Sequence, residues 1–312
     1  MLLRYITRRL VILVPVVLGV TILVFFSIHL VPGDPARSFL GDRATPAAVA
    51  ALHREWGLNE PIPVQYWLFM SRLLHGNLGQ SLFYQSSVAG LIGGRLPVTL
   101  LLLLYAAVLS VLISVPLAMA AARRPDGIAD HIVRAIGLVG IGMPSFWVGT
   151  ILIIIFALRL HIFAVAGYGN GLVGHLQSLV LPGLTIAISI APMLVRSLRA
   201  SMIEALNSDY VAFAKAKGAT APTVVMRYGL RNASISAVTI LGINIGFLVG
   251  GTLVIENVFA LPGLGSLMVQ AILDRDFPVV QGITLVFAVI VVVVYLLTDV
   301  AYALLDPRVR LG

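Results

Sequence analysis

Long apolar runs without a charged residue alternate with shorter polar segments along the chain, and these runs predict its helices. A helix that crosses a bilayer needs about 20 predominantly apolar residues. Six runs meet that requirement, and the predicted spans are 10–31, 98–121, 135–158, 177–195, 233–255 and 279–300. The pattern therefore predicts an all-α integral membrane protein with six transmembrane helices.

The composition strengthens this prediction, because 59% of the 312 residues are hydrophobic and only 11% are charged. Soluble domains contain about a quarter charged residues on average. The chain has no cysteine, which excludes a disulfide framework, a thiolate nucleophile and a cysteine-based metal site. Four prolines fall inside predicted spans, where each can kink a helix: Pro15, Pro116, Pro144 and Pro192.

The formal net charge of +8 would suggest a nucleic-acid partner if it lay on one exposed face. Lys and Arg, however, concentrate in the cytoplasmic loops of membrane proteins. With the N-terminus inside, 14 of the 21 Lys and Arg residues lie on the cytoplasmic side, and all of the +8 falls there. The charge therefore predicts an orientation, with cytoplasmic termini at 1–9 and 306–312, and no nucleic-acid partner.

The segment 32–95, between the first two spans, is too long for a simple connection and has helix signals of its own. Thr45 can cap a helix that starts at Pro46 and ends at Gly57, and a second helix is predicted over 63–75. Both helices carry aromatic residues, with Trp56 in the first and Tyr66 and Trp67 in the second. Two interpretations stay open, a lid over the helical bundle and a docking surface for an external partner.

The segment 199–231, between spans four and five, predicts a helix over 201–217, then Gly218, then a second helix capped by Thr220. Tyr210, Phe213, Ala214 and Lys217 share one face of the first helix by three- and four-residue spacing. Such a helix could insert into a groove on a soluble partner. It could equally lie against the underside of its own bundle.

The stretch DYVAFAKAKGATAPTVVMRYGLRNA (209–233) resembles the EAA loop of ABC-importer permeases, with Ala212 to Ala214 at the E-A-A positions and Gly218 at the glycine. The acidic residue and the terminal proline of that pattern are missing, as is usual in the dipeptide, oligopeptide and nickel branch. Further stretches are similar to the same branch: PGDPAR (32–37), LPVTLLL (96–102), GMPSFWVG (142–149) and ENVFALPGLG (256–265).

The resemblance implies a type I ABC importer permease fold, with the permease domain over 96–305, in a bacterial cytoplasmic membrane. It also implies four kinds of partner: a homologous second permease, two ATPase subunits, an extracytoplasmic substrate-binding protein and membrane lipid. The implied ATPase-coupling residues are Asp209, Tyr210, Ala212, Phe213, Ala214, Lys215, Ala216, Lys217, Gly218, Arg231 and Asn232. Relatives transport peptides, nickel chelates and some sugars, so the substrate stays open between peptides and other small solutes.

The chain has no G-x-x-x-x-G-K-[ST] phosphate-binding loop, so we expect no cofactor here and ATP hydrolysis on the partner subunits. A stand-alone secondary transporter is the main alternative, and a membrane enzyme is a weaker one, because no catalytic pair is evident within a span. Asn244 either lines the translocation path or bonds to a neighbouring helix. Glu256 either shapes an outer gate, together with Phe259 and Pro262, or is an interfacial carboxylate.

Overall fold

The computed structural model describes residues 2–30, 33–41, 44–81 and 83–305, and 81% of the structure is helical. The predicted tail 306–312, and the predicted boundary at residues 31 and 32, lie outside the described residues. The helices are α1 Leu2–His29, α2 Pro35–Leu40, α3 Pro46–Trp56, α4 Ile62–Leu74, α5 Val88–Arg123, α6 Ile128–Gly142, α7 Ser145–Leu152, α8 Gly171–Ser178, α9 Val180–Leu206, α10 Asp209–Ala216, α11 Ala221–Thr223, α12 Arg231–Val258, α13 Leu264–Leu273 and α14 Phe277–Leu305. Two π-helical segments, π1 Ile153–Arg159 and π2 Val224–Leu230, and a hairpin of β1 Gln80–Ser81 with β2 Ser86–Ser87 complete the elements.

The chain divides into two compact units. Of the described residues, the first unit contains Leu100–Leu261 and Val293–Leu305, and the second contains those within Leu3–Thr99 and Pro262–Val292. The long helices α5 and α14 each contribute residues to both units.

Three helical stretches within the described residues are long and apolar enough to cross a membrane without a break: Val88–Arg123, Gly171–Leu206 and Phe277–Tyr302. Two further helix pairs qualify when each is taken as one bent span. They are Ile128–Gly142 with Ser145–Arg159, bent by 106°, and Ala221–Gly246 with Leu248–Val258, bent by 58°. The apolar part of α1, Val14–His29, is shorter.

The sharpest bend falls inside the stretch 135–158, for which the sequence predicts one span. Proline lacks a backbone N–H and disfavours the helical conformation of the residue before it. Met143, which precedes Pro144, accordingly has an extended backbone (φ −88°, ψ 124°), and α6 ends there. Pro192 instead lies within the continuous helix α9. A proline in an apolar run is therefore not sufficient to break the helix.

The core of the first unit forms around α9. Leu194, Leu198 and Met202 are buried there against Ala118 of α5 and Ala233 of α12. Close approach of the helices depends on small residues, as it commonly does in membranes. A Cβ added at Gly140 of α6 would lie 2.9 Å from Pro192 Cγ of α9, so α6 contacts α9 directly.

The second unit contains the polar insertion, and its helices follow the sequence signals closely. The Thr45 hydroxyl accepts a hydrogen bond from the Ala48 amide at the start of α3, and Gly57 ends α3 in the left-handed conformation (φ 73°). The Tyr66 hydroxyl of α4 hydrogen-bonds the Thr21 hydroxyl of α1 at 2.9 Å. The insertion is thereby fixed to α1 by specific polar contacts.

A buried carboxylate joins the hairpin to the start of α14 in the second unit. Asp276 accepts a hydrogen bond from the Ser81 hydroxyl and one from the Val279 amide at 3.4 Å. Burial raises the pKa of the Asp276 carboxyl, and the Ser81 hydrogen bond offsets part of that rise. The folded state therefore binds a proton more tightly than the unfolded chain does at this carboxyl.

This shift predicts that Asp276→Asn increases thermal stability at neutral pH. The stabilising effect of protonating Asp276 is full below the ordinary carboxyl pKa and is lost as the pH rises through the raised value. The amide oxygen of asparagine can accept from the Val279 amide while its nitrogen donates to the Ser81 hydroxyl oxygen, and the buried charge is removed, so we expect a Tm higher by about 2 to 4 °C at pH 7. Thermal unfolding in detergent at pH 5 and pH 7 measures this. The matched control is Asp274→Asn, where the half-exposed carboxylate should give little change; an equal response of the two variants would contradict the prediction.

Candidate functional site

The candidate site lies in the segment between α9 and α12, where the sequence predicts a single helix over 201–217. The structure instead ends α9 at Leu206 and begins α10 at Asp209. Ser208 between them has an extended backbone, and its hydroxyl donates to the Ala205 carbonyl at 2.5 Å. Serine side chains compete with helical hydrogen bonding in this way. The joint of Asn207 and Ser208 therefore sets α10 apart as a separate short helix.

Helix α10 has a buried face and an exposed face. Val211 and Ala214, three residues apart, are buried, with Ala214 only 7% exposed. Phe213 is 62% exposed, although exposed phenylalanine is uncommon on a soluble surface. The predicted coupling residues on the exposed face are Asp209, Tyr210, Ala212, Phe213, Lys215, Ala216 and Lys217. Ala214, which spacing groups with them, thus anchors α10 instead of presenting itself to a partner.

Gly218 ends this segment and allows the chain to turn back. Its backbone has φ +87°, a conformation that side-chain-bearing residues rarely adopt. The Gly218 amide donates to the Lys215 carbonyl at 2.9 Å, and the next amide, Ala219, donates to the Ala214 carbonyl at 3.0 Å. These bonds satisfy carbonyls at the end of α10, which is the usual use of a glycine there.

Polar contacts order the exposed face. The Asn232 amide group of α12 donates to the Tyr210 hydroxyl at 2.8 Å and to the Tyr228 carbonyl at 2.8 Å. The Lys217 ammonium lies 4.5 Å from the centre of the Phe213 ring, within the range of a cation–π contact. The structure therefore brings Tyr210 and Asn232 together, although 22 positions separate them in the sequence.

The surroundings of α10 are basic. Lys215, Arg227 and Arg231 are exposed in this segment. A cavity of about 590 Å³ beside it is lined by Arg123, Arg124 and Lys215 together with apolar residues such as Leu206 and Val225. A positive, partly apolar surface of this kind is complementary to an acidic partner surface.

A buried ion pair that the sequence analysis missed lies close to this segment. Asp130 of α6 is fully buried, and the Arg199 guanidinium of α9 donates to both of its carboxylate oxygens. Each carboxylate oxygen therefore has a donor, although the side chain is shielded from water.

The predicted path and gate residues fall in both units. In the first unit, Asn244 donates to the Ile240 carbonyl of its own helix at 2.7 Å and to the Met193 sulfur of α9 at 3.4 Å. Glu256 and Phe259 are both buried. Phe259 would lie 3.1 Å from a Cβ at Gly149, so its ring packs against α7. Pro262, in the second unit, is exposed.

The three aromatic residues predicted to dock an external partner differ in exposure. The Trp56 ring packs 4.9 Å from the Phe39 ring, and Tyr66 contacts α1 through its hydroxyl. Trp67, in contrast, is 70% exposed. Among the residues that the structure describes, no group of three His, Asp or Glu side chains is placed to hold a metal ion.

The chain matches two family models and several curated relatives, which together cover nearly its whole length. Residues 114–311 match the binding-protein-dependent transport system inner membrane component, and residues 2–103 match the N-terminal part of the same membrane component. A peptide transport system permease protein of Brucella abortus strain 2308 is 39% identical, with 98% of each chain covered. The oligopeptide transport system permease protein AppB of Bacillus subtilis strain 168 is 35% identical, over 98% of this chain and 99% of AppB.

The fold has a counterpart among solved structures. A chain in the inward-facing MetNI methionine ABC transporter superposes with a TM-score of 0.58 at 18% identity, covering 69% of this chain and 96% of that chain. At this identity the likeness shows the fold alone, which is that of a type I ABC importer permease. The family matches and the apolar helices together show that the chain belongs to the binding-protein-dependent transport system inner membrane components, and that it is a multi-pass bacterial inner-membrane protein.

Proposed function

We propose that this chain is one of two permease subunits of an ATP-driven peptide importer, and that α10 couples it to a cytoplasmic ATPase. The observation that supports the coupling role most directly is the short helix α10 beyond the joint at Asn207 and Ser208. Its inner face is anchored by Val211 and Ala214, while its outer face exposes Tyr210 and Phe213. A short amphipathic helix presented in this way suits a groove on a soluble partner.

The coupling residues take two roles in this proposal. In the proposal Tyr210, Phe213 and Lys217 contact the ATPase, since all three are exposed; Lys217 lies over the Phe213 ring, and Tyr210 accepts a hydrogen bond from Asn232. Ala214 and Gly218 fix α10 in place, the first by packing and the second by its backbone conformation. The other members of the set lie exposed around them: Asp209, Ala212, Lys215, Ala216, Arg231 and Asn232.

The proposed topology has six spans with both termini in the cytoplasm. The spans are α1, α5, the bent pair of α6 with α7, the pair of α8 with α9, α12 and α14. The Lys and Arg distribution supports this orientation, because it leaves the whole net charge of +8 on the cytoplasmic side. The second permease, two ATPases and a substrate-binding protein complete the proposed assembly.

The proposed path uses Asn244, with Glu256, Phe259 and Pro262 at the outer gate. Asn244 is half-buried and polar within a span, which favours a functional position. On the external side, Trp67 is the most accessible of the three aromatic residues and is the proposed contact for the binding protein. Trp56 and Tyr66 support it by packing within the second unit.

The proposed substrates are peptides, because the relatives that this chain matches over 98% of its length are named as peptide and oligopeptide permeases. The test is reconstitution of the four-subunit complex in proteoliposomes with its binding protein. We expect ATP hydrolysis to rise about tenfold when the binding protein is loaded with a mixture of short peptides, as coupling between sites typically produces.

Empty binding protein and binding protein offered a nickel chelate are the controls for this experiment. Stimulation by the chelate and not by peptides would contradict the proposed substrate. Peptide uptake that proceeds without ATP would contradict the proposed class of transporter.

A further inference from the structure

The carboxylate of Asp130 is fully satisfied at a buried position. Arg199 donates from Nε to Oδ1 and from Nη2 to Oδ2, the latter at 2.6 Å. The Asp126 amide adds a hydrogen bond to Oδ2 at 2.9 Å, and Arg134 Nη2 lies 3.5 Å from the same oxygen. Asp126 also accepts from Arg134 at 3.1 Å on the exposed side. The pair is therefore the centre of a network that joins α6 to α9.

A buried ion pair of this kind fixes the relative orientation of the two helices that carry it more than it stabilises the fold. Removing two charges from water is costly, and apolar side chains of similar size often stabilise such a position equally well. A guanidinium that binds both oxygens of one carboxylate also fixes the relative orientation of the two groups, because its donors form a rigid planar fork. The Asp130–Arg199 pair thus holds α6 and α9 in one arrangement.

The location of the pair connects it to α10. Asp130 lies in the first turn of α6, and Arg199 lies two turns before the end of α9 at Leu206. A second contact between the same helices, Gly140 with Pro192, lies ten residues further along α6, or about 15 Å. Two separated contacts prevent α9 from pivoting on α6, and α10 follows α9 after only Asn207 and Ser208.

We propose that Asp130 and Arg199 are positioning residues that make α6 and α9 move as one body, so that displacement of α10 is transmitted to the bent span instead of being absorbed at the end of α9. This inference rests on the proposed coupling role of α10. ATP binding can change the state of the transporter only if the position of α10 on the ATPase and the position of the bent span of α6 and α7 favour the same state. A loosened α9 end would let α10 stay bound to the ATPase while the bundle stays still.

The main test is Asp130→Asn in the reconstituted complex. The variant keeps the size of the side chain, but its amide nitrogen is a donor facing the Arg199 donors, so the two-point contact is lost. We expect ATPase subunits to copurify normally and the basal ATPase rate to stay unchanged. The stimulation by peptide-loaded binding protein should fall about tenfold, and peptide uptake should fall with it.

Three further variants make the result specific. Arg199→Lys keeps the charge but gives a single point contact, so it should retain intermediate stimulation. The exchange Asp130→Arg with Arg199→Asp should recover part of the stimulation lost by either change alone. Arg196→Gln removes an exposed cation from α9 three residues from Arg199 and should behave as the unchanged protein.

The outcomes separate this inference from the proposed function. Full stimulation in Asp130→Asn, with loss of stimulation in Gly218→Val, would overturn the positioning role and leave the role of α10 standing. Full stimulation in both variants would overturn the coupling role of α10 itself. If Asp130→Asn does not assemble, Arg199→Lys decides: reduced stimulation in an intact complex supports the positioning role, and unreduced stimulation overturns it.

Discussion

Gly218→Val should abolish peptide-stimulated ATP hydrolysis while leaving the permease assembled in the membrane. Gly218 has φ +87°, where a β-branched residue is strained. Forcing a side-chain-bearing residue into the left-handed region costs about 1 to 2 kcal/mol. A Cβ at this position meets open space, so the cost is conformational and not steric overlap. The chain should relieve the strain by turning differently after α10, and the exposed face would no longer meet the ATPase.

The measurement is the ATPase rate of the reconstituted complex with and without peptide-loaded binding protein. Gly218→Asn is the matched control, because asparagine adopts the left-handed conformation more readily than other residues. It should retain most of the stimulation, and Gly218→Ala should fall between the two. If all three variants were stimulated as strongly as the unchanged protein, the left-handed backbone conformation at residue 218 would have no part in coupling.

Ala214→Glu should detach α10 from the permease and eliminate coupled transport. Ala214 is 7% exposed, and together with Val211 it forms the inner face of α10. A carboxylate placed there loses its hydration without a designed partner, which costs several kcal/mol. We expect α10 to swing outward so that the carboxylate reaches water. Hydrogen exchange of the α10 amides should then rise strongly, and peptide-stimulated hydrolysis should disappear.

Ala212→Glu provides the matched control, since it makes the same substitution two residues away on the exposed face. It places an acidic residue at the position where the EAA pattern has one. We expect the α10 amides to exchange as in the unchanged protein, with coupled hydrolysis retained. If the two variants exchanged equally fast, burial of Ala214 would not be what secures α10.

Local signals in the sequence predict local structure well in this protein. Thr45 and Gly57 bound α3 as expected, because a cap depends only on hydrogen bonds within a few residues. The break at Pro144 is different, since the same residue type at Pro192 leaves α9 continuous. A proline leaves a backbone carbonyl one turn earlier without its hydrogen-bond donor. Whether another group donates to that carbonyl depends on the neighbouring helices, which hydropathy does not reveal.

Contacts between side chains that are far apart in the chain could not be predicted from the sequence. Asp130 and Arg199 are 69 positions apart, and the sequence treats both only as charges on the cytoplasmic side. Helical spacing placed Ala214 on the same face as Tyr210 and Phe213, but only the packing of α10 decides which part of that face is covered. The motif thus selects the segment as a candidate, and its coupling role stays a prediction, while the division into anchoring and presented residues required the structure.

The close packing of π2 against the end of α9 has a mechanical consequence for α10. A Cβ at Gly229 would lie 3.2 Å from Leu206 Cδ2, and the Ser201 and Ser236 hydroxyls bond at 2.9 Å, so the two stems of the segment adjoin. Helix α10 is therefore held at both of its ends, by α9 before it and by π2 and α12 after it. A displacement of α10 is therefore applied to α9 and α12 together, and the Asp130–Arg199 pair is the contact through which the α9 part of it would reach α6.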